Sequence, residues 1–111
     1  MRVLVKNCKV LAEFSIFPIG QDGTSLSRFV AASLVALKGM KGLRFEVTPM
    51  GTILEADSLD VILDAVKVAH EALVAKGILR VESTLRIDDR RDKPRTMKDK
   101  VVSVKKYMKQ K

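Results

Sequence analysis

The chain has 111 residues, a length suited to one domain with a single core, and its apolar share supports a folded globule. One cysteine, Cys8, excludes an internal disulfide framework and a paired-cysteine metal site, and no apolar run approaches the about 20 residues needed to cross a bilayer. The net charge of +8 is uneven: residues 93–111 hold eight Lys/Arg and one Asp, giving +7, whereas residues 1–92 hold thirteen Lys/Arg and twelve Asp/Glu, giving +1. A basic tail on a near-neutral body argues against a nucleic-acid-binding face. Lys6 and Lys9 interrupt the mildly apolar start MRVLVKNCKVL short of a signal-peptide core, so a cytoplasmic location without a membrane partner is expected.

Val10 to Ile19 reads as the first strand. Ala12, Phe14 and Ile16 make one apolar face, while Leu11, Glu13, Ser15, Phe17 and Ile19 make a mixed one, too apolar for a face left to water. The loop Gly20-Gln21-Asp22-Gly23 enters a helix near Thr24 or Ser25, either of which suits a cap. The loop lacks the Lys-Ser/Thr ending of a phosphate-binding loop and reads as an ordinary connection. Leu26, Phe29, Val30, Ser33 and Leu37 recur at helical spacing up to Gly39 and Gly42. LRFEVTPMGTILEA, residues 43–56, is a hairpin reversed at Thr48-Pro49-Met50-Gly51.

Asp57 or Ser58 caps a second helix running to about Lys76, with Leu59, Ile62, Leu63, Val66, Ala69, Leu73 and Val74 on its core stripe. His70 lies at the edge of that stripe as a boundary histidine, and no second His exists to share a metal. Ile78 to Asp88 is the last strand, with Val81, Leu85 and Ile87 toward the helices, and Asp88 to Asp92 forms a charged turn. Thr96 and Asp99 make a capping-box start for a basic terminal helix, whose apolar stripe is Met97, Val101, Val104 and Met108. That stripe is expected to lie on a neighbouring subunit or on its own domain.

Strand, helix, strand, twice repeated with right-handed crossovers, places both helices on one face of the sheet. The expected fold is α+β: a ferredoxin-like βαββαβ sandwich with an antiparallel sheet, core 10–92, plus a C-terminal helical segment 93–111. The first and third strands are central. The open face then displays Glu13, Ser15 and Phe17, then Arg44, Glu46 and Thr48, then Glu82, Thr84 and Arg86. The side faced by Glu55 depends on the hairpin register and stays open at this point. Mixed carboxylates, hydroxyls and apolar groups suit a wet interface holding a polar pocket, and the exposed apolar groups of the first strand predict a homo-oligomer.

The segments AEFSIFPIG, TPMGTILEA, VKVAHEALVAKG and RIDDRRDKPRTMKDKV, in this order, resemble the small thiamine-binding proteins of bacteria and archaea, over about four fifths of the chain. The resemblance implies a ferredoxin-like fold, homo-oligomers, commonly dimers paired into tetramers through their sheets, and non-catalytic binding of thiamine or its hydroxymethylpyrimidine moiety near a subunit interface. It implies no catalytic residue, no metal and no cofactor beyond that ligand. The residues carried over with the matching motifs are Ser15, Thr48, Met50, Gly51, Thr52 and Glu55.

The chemistry is consistent with that list. Glu55 is a candidate acceptor for the exocyclic amine of an aminopyrimidine, and Ser15 and Thr48 are candidate donors to its ring nitrogens. A thiazolium cation favours Glu13 or Glu46 and the aromatic face of Phe17. Each of these residues also suits cross-strand pairing or intersubunit salt links. RNA readers of this shape need aromatics on the third strand, which GTILEA lacks, and an acyl-phosphate hydrolase needs an Arg after the first strand, which residues 18–25 lack. The remaining alternative is a structural or regulatory oligomer without a small-molecule ligand.

Overall fold

The structure, a computed structural model, describes residues 8–109; the reading of the N-terminal residues through Asn7 and the last residues, 110–111, lie outside that range. The elements are β1 (Val10–Ile19), α1 (Ser27–Val35), β2 (Leu43–Thr48), β3 (Gly51–Ala56), α2 (Leu59–Ala75), β4 (Arg80–Asp88) and α3 (Met97–Met108). The strands form one antiparallel sheet in the order β2-β3-β1-β4, so β1 and β3 are central as expected and the fold is ferredoxin-like α+β. Val10, Ala12, Phe14 and Ile16 of β1 and Leu54 and Ala56 of β3 enter the core beneath α1 and α2.

β1 outruns β3. Its pairing with β3 ends at Phe14↔Thr52, whereas β4 accompanies it to Ile19. Pro18 therefore sits where one edge of β1 has no neighbour, and its missing N–H costs the β3 ladder nothing. In the hairpin, Pro49 holds its own φ near the value for a type I or II turn, and the Thr48 hydroxyl donates to the Gly51 carbonyl at 2.8 Å across it. Gly51 is a glycine for reasons of space: a Cβ there would stand 2.9 Å from Ser15 Oγ and 3.2 Å from the Phe14 carbonyl oxygen.

Three expectations are corrected. α1 begins at Ser27 with Leu26 in the cap position and no side-chain cap, so neither Thr24 nor Ser25 performs that role. Half-buried Leu26 sets the start instead, its carbonyl accepting from the Phe29 and Val30 amides at 3.0 and 3.1 Å. On α2, Ser58 caps by accepting from the Val61 amide at 3.3 Å, but the buried stripe is Ile62, Ala65, Ala69 and Leu73. Leu63 is 48% exposed and Val74 55%. The alanines let the helix approach closely, which turns the bulkier neighbours outward. β4 begins at Arg80 instead of Ile78, although Ile78 remains in the core.

This offset makes a prediction. Ala65→Leu should lower unfolding stability by about 1–3 kcal/mol through overpacking, whereas Leu63→Gln should change it by no more than about 0.5 kcal/mol, as read from urea midpoints. The reverse ranking would place the core stripe where the sequence pattern put it.

Candidate ligand-binding site

Because side chains alternate along a strand, the pairing register sorts the open face into rows crossing the sheet. One row is Thr84, Ser15, Gly51 and Thr48; the next is Arg86, Glu13, Ile53 and Glu46; the third is Asp88, Leu11, Glu55 and Arg44. Successive rows lie about 7 Å apart, two residues along a strand. The expected open-face set from β1, β2 and β4 is the observed one, and the register assigns Glu55 to the same face.

Two hollows lie along these rows. The smaller, of about 210 Å³, sits at the hairpin end and runs from Phe14, Ile16, Val30 and Val47 on the helix side to the first row. Six of the seven residues expected in a site line it: Ser15, Phe17, Thr48, Met50, Gly51 and Thr52. Thr52, opposite Phe14, points into the core side, while Met50 is 88% exposed at the turn. Ser15 Oγ donates to the Met50 carbonyl at 3.3 Å, and Thr48 Oγ1 to that of Gly51 at 2.8 Å. Each hydroxyl proton is therefore engaged by the backbone, leaving oxygen lone pairs as acceptors. This reverses the donor role expected for Ser15 and Thr48.

Glu55 is not brought to the other six. It stands two rows from Ser15, about 13 Å along the sheet, beyond the reach of a single shared ring. It is 2% exposed; its Oε2 accepts from the Met97 amide at 3.0 Å and its Oε1 lies 3.6 Å from Arg44 Nη1. The start of α3 is what covers it. Thr96 and Asp99 form the expected capping box, with the Asp99 amide donating to Thr96 Oγ1 at 3.0 Å and the Thr96 amide to Asp99 Oδ2 at 3.1 Å. The Thr96 backbone N–H, and then its hydroxyl, hold the Asp99 carboxyl below its ordinary range. The sign follows: a folded-state value below the unfolded one favours the cap above the ordinary carboxylate range, and this is lost as pH falls through the lowered value.

The larger hollow, of about 750 Å³, opens between the second and third rows and α3. Its floor is Leu11 and Ile53, and its rim carries Glu13, Glu46, Arg44, Arg86, Lys98 and Lys100. Lys100 pairs with Asp88 and Arg44 with Glu55. Glu13 and Glu46 have no hydrogen-bond or ion-pair partner among the described residues. They flank Ile53 at about two strand spacings, roughly 10 Å apart, an arrangement suited to a flat cation that has no hydrogen-bond donor of its own. The contribution of Met97 and Lys98 to this hollow was not legible in the sequence. The capping box marks where α3 starts but not where residues 89–95 carry it.

No group of three or more His, Cys, Asp or Glu among the described residues is arranged for a metal, and no helix there is long and apolar enough to cross a membrane. His70 Nε2 lies 2.7 Å from Ser83 Oγ, on the helix side of the sheet and away from both rows of polar groups. The exposed face of α3 carries Val101, Val104, Tyr107 and Met108, and among its residues only Met97 is buried.

Comparison with known proteins gives four findings. A family model described as thiamine-binding protein matches residues 12–105. A UPF0045 protein of Methanothermobacter thermautotrophicus is 51% identical over 96 residues, covering 86% of this chain and 96% of that protein. The crystal structure of protein MJ1052 from Methanocaldococcus jannaschii superposes with a TM-score of 0.77 at 41% identity, over 87% of this chain and 96% of the other. At 24% identity, a Thermotoga maritima structure, named provisionally for thiamine biosynthesis or salvage, matches in fold with a TM-score of 0.69 over 86% of this chain and 98% of its own.

Proposed function

Because the chain belongs to the thiamine-binding protein family, we propose that it binds thiamine or its hydroxymethylpyrimidine half, without catalysis, on the open sheet face at a boundary between subunits of a homo-oligomer. The observation that carries this reading is the adjacency of two unlike rows. Hydroxyl lone pairs of Ser15 and Thr48 suit the donor amine of an aminopyrimidine, and the row beside them offers Glu13 and Glu46 around an apolar floor for the thiazolium cation. Two rings joined by one methylene span adjacent rows about 7 Å apart. Phe17, Met50, Gly51 and Thr52 shape the hollow for the pyrimidine, and Glu55 lies beyond the far row, buried under the start of α3.

Assembly into a tetramer completes the proposal. Phe17 and Ile87 on the sheet, with Val101, Val104, Tyr107 and Met108 on α3, expose apolar surface that a second copy would cover. Such a protein stores, delivers or senses its ligand in the cytoplasm, and its near-neutral body binds no nucleic acid. The same exposed stripe on α3 also favours a second reading, a structural or regulatory oligomer without a small-molecule ligand.

Calorimetry with variants tests the site. Ser15→Ala should weaken both thiamine and hydroxymethylpyrimidine by about threefold to tenfold, the worth of one neutral hydrogen bond. Glu13→Gln combined with Glu46→Gln should weaken thiamine by about tenfold or more and hydroxymethylpyrimidine, which has no cationic ring, by much less. Equal losses for the two compounds would remove the cation from the carboxylate row.

A further inference from the structure

The larger hollow looks at first like a phosphate site, since Arg44, Lys98 and Lys100 surround a helix N-terminus. Two of the cations that would hold a phosphate are already occupied by the protein's own anions. Arg44 lies 3.6 Å from Glu55 Oε1, and Lys100 is paired with Asp88. The Met97 amide donates to Glu55 Oε2 at 3.0 Å and the Asp99 amide to Thr96 Oγ1 at 3.0 Å, so two of the first amides of α3 have partners. Glu55 itself is 2% exposed. A carboxylate fixed at a helix start occupies the position and carries the charge that an incoming phosphate would bring.

We propose that Glu55 is a specificity residue that makes the site select the free alcohol of thiamine against its phosphate esters. The inference rests on the ligand reading above and deepens it. With the pyrimidine in the row of Ser15 and Thr48 and the thiazolium in the row of Glu13 and Glu46, the hydroxyethyl arm leaves the far side of the thiazolium ring toward the third row. There it meets Leu11, Arg44 and the first turn of α3, with the buried Glu55 carboxylate directly behind Arg44 and Met97. A neutral hydroxyl is compatible with a carboxylate behind that wall, because it brings no like charge. A phosphate monoester brings about two negative charges, and of the four cations on the rim Arg44 and Lys100 are already paired, Arg86 stands opposite Glu13 two strands from Glu55, and Lys98 remains.

The test titrates thiamine and thiamine monophosphate into the full-length wild type and into Glu55→Gln at fixed ionic strength, by calorimetry. Wild type is expected to bind thiamine at least about tenfold more tightly than the monophosphate, and Glu55→Gln should bring the two within about threefold. Monophosphate binding as tight as or tighter than thiamine in the wild type overturns the inference and leaves the ligand reading standing. An unchanged ratio in a folded Glu55→Gln also overturns it. Should Glu55→Gln fail to fold, Arg44→Gln, at a largely exposed position, reads the same charge. Stripped of its nearest cation, Glu55 should widen the discrimination by about threefold or more, and an unchanged or narrower ratio counts against the role. No binding of either compound to wild type overturns the ligand reading and this inference together.

Discussion

Ending the chain after Pro94 is expected to reduce the mass of the assembly at micromolar concentration by roughly half or more while leaving the sheet folded. Among the described residues, α3 is joined to the rest of the molecule at its first turn, through the buried Met97 side chain, the Met97 amide on Glu55 and the Lys100–Asp88 ion pair. None of the core residues of β1, β3, α1 or α2 depends on it. Removal uncovers Leu11 and Glu55, but Glu55 then gains water in place of its amide partner and keeps Arg44 beside it, so no unpaired charge is buried. What disappears is the stripe of Val101, Val104, Tyr107 and Met108, which the chain itself leaves exposed. Light scattering of wild type should give four times the mass of the 12.3 kDa chain, and circular dichroism of the truncated chain should retain the strand signal. An unchanged mass after truncation would assign assembly to the sheet alone. Salt-sensitive nucleic-acid binding lost with α3 would give that helix another role altogether.

Phe14→Ala should be the most destabilising single change, costing about 3–5 kcal/mol out of a total stability that for such domains is about 5–15 kcal/mol. Phe14 is 1% exposed on the central strand, paired with Thr52 on one side and Leu85 on the other. Its ring is almost wholly enclosed, and truncation leaves a cavity that two flanking strands are too constrained to fill. Urea unfolding should show the midpoint falling with an unchanged slope, and Phe14→Leu should lose less. A loss below about 1 kcal/mol would mean that the core is not organised on β1.

The order of elements and the faces of the strands were legible because period-two alternation is strong in EFSIF, RFEVT and ESTLRI and because Pro49-Gly51 marks the reversal without ambiguity. The side faced by Glu55 was not, since it depends on which residue of β3 opposes Leu11, and that follows from turn geometry instead of composition. On α2 the pattern favoured Leu63 and Val74 over Ala65 because hydrophobicity was weighed and close approach was not. The site was readable in part for the same reasons. Ser15, Thr48 and Gly51 share a row because the hairpin register brings them together, whereas the neighbourhood of Glu55 is made by a helix that returns over the sheet after a long connection. No local pattern encodes that return.

The most direct measurement is a calorimetric titration of the full-length chain with thiamine, hydroxymethylpyrimidine and a pyrimidine analogue lacking the exocyclic amine. The expected result is saturable heat with thiamine and with hydroxymethylpyrimidine, one ligand per chain, and a loss of about tenfold or more in affinity for the analogue, because Ser15 and Thr48 would then face a group that donates nothing. Absence of heat with both natural compounds would contradict the account.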